Sequence, residues 1–161
     1  MKRYAFLLAL PLLVGLTACH ARRTAQKPDP LRNAYGTEVD WNNSDHLIPL
    51  DYEQSQGKRL FYIYCVWCHA DSTPAGPSNR YNLTPTPHLM NDGAVLNSMS
   101  DQYLDNIITL GGSAMGKSAM MPPYGNTLTQ AEIRHIIAYT RAIAEPPYHK
   151  PNRPLPQYKA R

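Results

Sequence analysis

Cys65-Val66-Trp67-Cys68-His69 is the stretch on which the reading of this chain turns. Two cysteines three residues apart lie side by side on a helical turn, so both thiols can reach one edge of a flat macrocycle. The next residue, His69, then projects an imidazole toward its centre. The run reads as an attachment site for one covalent haem c, with Cys65 and Cys68 as thioether anchors and His69 as proximal iron ligand. Three other uses of the pair fit less well. A thioredoxin-like dithiol wants a strand before it and a helix after it, and the periodicity here puts the pair at a helix end. Zinc wants two further ligands at tight spacing, and no second Cys or His cluster exists in the sequence. A plain disulfide leaves the adjoining histidine without a role.

Upstream of the motif, Gly57, Leu60, Phe61, Tyr64, Cys65 and Cys68 recur at helical spacing from about Tyr52, which predicts one buried face. Downstream, Ser100 is an N-cap with Asp101 in the first turn, ahead of Tyr103, Leu104, Ile107 and Ile108, and Gly111 supplies a stop. A third helix opens on the capping-box pair Thr129 and Glu132, carries Ile133, Ile136, Ile137, Thr140 and Ile143 on one side, and ends at Pro146-Pro147. Between them lie two long loops, residues 71–97 and 111–128, and no stretch alternates convincingly enough to be a strand. The expected fold is a small all-α domain. Three helices with this much loop bury little apolar surface by themselves, so a haem is expected to form much of the core.

The first eighteen residues are not fold. Lys2 and Arg3 precede a short apolar run from Tyr4 to Gly15, too short to span a bilayer, and then Leu16-Thr17-Ala18-Cys19. That ending resembles the bacterial lipobox, which implies lipidation at Cys19. His20 follows the cysteine in place of the aspartate that often marks inner-membrane retention, so the resemblance favours the outer membrane. An exported chain lives where stray thiols oxidise, and this assignment leaves none of its three cysteines over. Residues 19–51 read as a tether, 52–145 as the domain, and 146–161 as a Pro-rich basic tail. Lys2 and Arg3 supply two of the four net positive charges, and Lys150, Arg153, Lys159 and Arg161 supply four more, so the stretch between stands at −2. The domain has no basic face of the kind nucleic acid needs, and no nucleic-acid partner is expected.

A low-spin electron carrier needs a sixth iron ligand, and a thioether raises the reduction potential while blocking oxygen chemistry. Met90, Met99, Met115, Met120, Met121, His46, His88, His135 and His149 are the candidates. Met121 precedes Pro122-Pro123, in a loop of restricted φ that can hold a side chain with little entropy left to lose. Met120 is its rival. His88, in a proline-rich loop, and His135, among polar helix positions, are weaker.

Taken together, Gly57-x-x-x-Phe61-x-x-x-Cys65-Val-Trp-Cys68-His69, the run from Gly111 to Gly125 around Met121-Pro122, and Leu128-Thr129-x-x-Glu132-Ile133 leading to Tyr139-x-Arg141 resemble a class I cytochrome c domain, such as the single-haem domains of bacterial respiratory complexes. The resemblance covers about residues 52–145. It implies that Met121 is the sixth ligand and that Gly57 and Phe61 pack against Tyr139. Gly76-Pro77 resembles the family's Gly-Pro, which implies that a Pro77 carbonyl accepts a hydrogen bond from His69 Nδ1–H and orients the ring. Arg80, Asn82 and Tyr124 are candidate haem-propionate partners.

These readings converge on a periplasmic one-electron carrier, membrane-bound through Cys19 and working with redox partner proteins. No nucleophile, general base or substrate pocket points to enzyme activity. Two alternatives stand: a fixed relay subunit of a quinol-oxidising or other membrane oxidoreductase, and a gas-binding or catalytic haem with an open sixth position.

Overall fold

Asp51 starts the first helix by accepting from the amide of Gln54 at 2.9 Å, while the Gln54 side chain accepts from the Asp51 amide at 2.9 Å. This reciprocal capping box satisfies two amides that helix geometry would leave unpaired. From it runs α1 (Tyr52–Tyr64), followed across a one-residue break by α2 (Val66–His69), a 3₁₀ turn (Arg80–Asn82), α3 (Gly93–Leu96), α4 (Asp101–Ala114) and α5 (Gln130–Ala142). The computed structural model describes residues 35–40, 43–70 and 79–150. The leader with Cys19, the segment holding Pro77, and the tail from residue 151 onward lie outside the described residues.

The expected caps form. Ser100 Oγ accepts from the Tyr103 amide at 3.1 Å. Thr129 Oγ1 accepts from the Glu132 amide at 3.3 Å, and the Glu132 carboxylate accepts from the Thr129 amide at 2.8 Å. Gly111, expected to end the second long helix, does break it: its φ of 79° is left-handed, and one further helical turn follows before Met115.

The centre of the fold is the crossing of α1 and α5. Gly57 lies against the His135 backbone and the Tyr139 side chain, where a Cβ would collide with both. That proximity lets Phe61 and Tyr139, both fully buried, meet with centroids 5.5 Å apart and ring planes tilted by 49°. Around the pair gather Val66 and Ile143 on one side. On the other, Leu60, Leu96, Tyr103, Leu104, Leu128, Ile133, Ile136 and Ile137 form the larger core.

One expectation is corrected. The molecule is largely helical but not all-α, because β1 (Thr37–Asp40) and β2 (Asn43–Pro49) form an antiparallel hairpin inside the segment read as tether. Glu38 faces Ile48 and Val39 faces Leu47 across it. These strands lack an alternating apolar face, and a two-stranded hairpin is marginal alone, so their support is tertiary. Buried Glu38 accepts from the Tyr139 hydroxyl at 2.7 Å and pairs with Lys58 Nζ at 3.1 Å. Lys58 also donates to the Thr37 carbonyl at 2.7 Å, and Leu50 packs against the Phe61–Tyr139 cluster.

Candidate functional site

Cys65 caps the C-terminus of α1, its amide donating to the Phe61 carbonyl at 2.8 Å, and Cys68 and His69 follow within the next helical turn. Their amides both donate to the Cys65 carbonyl, at 3.1 and 3.0 Å. The turn therefore presents two free, half-buried thiols and an imidazole from one short element. Burial, followed by the neighbouring Cys68, pushes the Cys65 thiol up to about 12. A dithiol acting by nucleophilic attack needs the opposite shift.

His69 Nδ1 lies 2.9 Å from the His88 carbonyl. A carbonyl only accepts, so Nδ1 carries the proton and Nε2 keeps the lone pair a metal needs. Burial holds the imidazole below its ordinary pKa and so favours the neutral, ligating form. Pro77 was the expected acceptor; it lies outside the described residues, and the carbonyl that meets His69 belongs to His88. The His88 side chain is exposed, 3.8 Å from Asp92, so the residue contributes through its backbone. A carbonyl nineteen residues downstream leaves no signature in the sequence.

Met121 stands in a loop held to the end of α4. Its carbonyl accepts from the Gly112 amide at 2.9 Å, and the Tyr124 and Gly125 amides donate to Ile108 and Thr109 at 2.9 and 3.0 Å. Gly111 and Gly112 permit this approach, since a Cβ at either would run into the 118–123 backbone. Met121 is half-buried, whereas its rival Met120 is 62% exposed. Met90, Met99 and Met115 are partly buried and lie against the larger core together with Tyr64, Ile107, Ile108 and Tyr124.

Other sequence candidates fall elsewhere. His46 pairs with Asp40 in the hairpin at 3.0 Å, His135 is half-buried on α5 beneath Gly57, and His149 is exposed. Arg80 donates to the Pro87 carbonyl at 2.6 Å and Asn82 to Asn79 Oδ1 at 2.7 Å, bonds that shape the 79–90 loop. Tyr124 donates its hydroxyl to the Tyr64 carbonyl at 2.9 Å, a tie between the methionine loop and the attachment turn that sequence reasoning missed.

The donor set fits a haem: two unbridged thiols three residues apart on one helical turn and an imidazole of fixed tautomer directly after them. Fold and site define a class I c-type cytochrome. Residues 53–139 match the family model for cytochrome c oxidase, cbb3-type, subunit III, and the chain belongs to that family. Its monohaem domain carries one haem c and serves electron transfer. Comparison with curated proteins and with solved structures gave no match.

Proposed function

We propose that this chain is a periplasmic one-electron relay of a respiratory chain, its haem c ligated by His69 and Met121 and its N-terminus lipid-anchored at Cys19. The observation that carries the reading is the imidazole of His69, with Nδ1 committed to the His88 carbonyl and Nε2 left to ligate. The bound haem supplies the one-electron couple. The chain holds its edge with Cys65 and Cys68, fixes the proximal ring with His88, and presents Met121 from a loop pinned to α4. A thioether in the sixth position keeps oxygen out and raises the potential.

The test is the visible spectrum of holo-protein matured in a bacterial periplasm competent for haem attachment. Wild type is expected to show the weak long-wavelength ferric–methionine band and to ignore carbon monoxide, and Met121→Ala to lose the band and bind the gas. A wild type that lacks the band and takes up carbon monoxide would instead support a gas-binding or catalytic haem.

Membership of a family of oxidase subunits favours one further point. A fixed subunit of a membrane oxidoreductase fits an anchored cytochrome better than a diffusing shuttle does. Co-purification with membrane subunits in mild detergent checks this; recovery of the cytochrome alone overturns it. The outer-membrane placement suggested by His20 is tested separately by fractionating the two membranes.

A further inference from the structure

We propose that Arg141 is a positioning residue for the sixth iron ligand: it seats the start of α4, and α4 in turn sets where Met121 stands. The inference rests on the reading of Met121 as that ligand.

Arg141 occupies the last turn of α5, where a basic side chain usually answers the helix dipole from solvent. This one is turned inward, its side chain 9% exposed. Nη1 donates to the Leu96 carbonyl and Nη2 to the Met99 carbonyl, each at 2.6 Å. Nη2 and Nε also reach Asp101 Oδ1, at 2.9 and 3.0 Å. The Tyr148 ring covers the guanidinium, 4.1 Å from its centre. A planar fork thus meets three acceptors spread over residues 96–101, the turn from which α4 starts.

The fork adds a polar tie at the start of α4 to the apolar core that Tyr103 and Leu104 share with Ile133, Ile136 and Ile137 of α5. The remote end of α4 holds the methionine loop through three backbone bonds, Gly112 to Met121, Tyr124 to Ile108 and Gly125 to Thr109. The stretch of α4 before its break at Gly111 is a continuous helix of roughly 15 Å. A shift at its first turn therefore displaces the Ile108 and Thr109 carbonyls, and through Tyr124 and Gly125 the loop that carries Met121. Lysine cannot replace the arginine, since a single ammonium does not span three separated acceptors.

The experiment compares full-length holo-protein of wild type, Arg141→Gln and Arg141→Lys by amide hydrogen exchange, ferric spectrum and carbon monoxide binding. In Arg141→Gln the amides of Gly112, Tyr124 and Gly125 are expected to exchange at least tenfold faster while those of α1 hold, with the ferric–methionine band weakened and a gas adduct appearing. Arg141→Lys recovers only part of each signal, and it decides the matter if the glutamine variant does not mature. Faster exchange confined to residues 96–101 with an intact band makes Arg141 a local staple and overturns the proposal. Uniform acceleration that includes α1 overturns it too, as a loss of global stability. If wild type itself lacks the band, the ligation reading fails, and the three loop amides still decide whether Arg141 governs the seat of that loop.

Discussion

The hydroxyl of Tyr124 donates to the carbonyl of Tyr64 at 2.9 Å, and the two rings meet edge to face with centroids 5.8 Å apart. Tyr64 immediately precedes Cys65, and Tyr124 lies three residues beyond Met121. One hydrogen bond thus joins the turn of Cys65, Cys68 and His69 to the loop that carries Met121.

Tyr124→Phe keeps the ring contact and deletes the bond. The expected cost is about 1 kcal/mol, the net worth of a single neutral hydrogen bond. Chemical denaturation of the holo-protein measures it. Because the bond joins the two sides of the site, carbon monoxide should also bind faster than in wild type, and an unchanged gas response would confine Tyr124 to stability.

Gly57→Ala tests the helix crossing. The added methyl would overlap the His135 carbonyl and the Tyr139 side chain, both fixed in the core. Overpacking against backbone at such a point costs about 3 kcal/mol. A large drop in the thermal midpoint of the holo-protein is expected; a drop no bigger than that of an exposed Ser→Ala change would mean the helices can separate freely.

Glu38→Ala tests the hairpin. It removes the carboxylate that Tyr139 and Lys58 address from inside the fold, and breaking a buried charge pair on one side costs about 3 kcal/mol. Amides of residues 37–40 and 45–48 should lose exchange protection before those of α5. If both segments lose protection together, the hairpin and the helices unfold as one unit.

The Thr129–Glu132 capping box predicts an acid limb. The Thr129 amide, then its hydroxyl, hold the Glu132 carboxyl below its ordinary value of 4.5. The folded state thus binds this proton less readily than the unfolded chain does. The cap's contribution is present above that value and is lost as pH falls through the lowered one. Glu132→Gln should flatten this part of the stability–pH curve, and Thr129→Ala should cost about 1 kcal/mol at neutral pH. Denaturation midpoints at pH 3 to 7 check both.

Much of the helical framework was readable because the relevant signals are local. The spacing of Leu60 and Phe61, and of Ile133, Ile136 and Ile137, marks faces that are indeed buried. Ser100, Thr129 and Gly111 act where their chemistry says they should. The Asp51–Gln54 box obeys the same rule and sets the helix start that the periodicity marks at Tyr52. The hairpin was not legible. Its inward residue is a glutamate, which no apolar pattern would place inside, and it is held there by partners 20 and 101 residues away.

The sequence by itself made the attachment motif legible, since Cys65, Cys68 and His69 fall within one helical turn, and it determined three helices through period and caps. Only the tertiary structure decided which carbonyl meets His69, which of Met120 and Met121 is the less exposed, and where the Arg141 side chain bonds. The His88 carbonyl, the half-burial of Met121 and the Arg141 fork all arise from groups far apart in the chain. Backbone carbonyls are present at every residue and carry no sequence mark, so only folding selects which of them meets a given side chain.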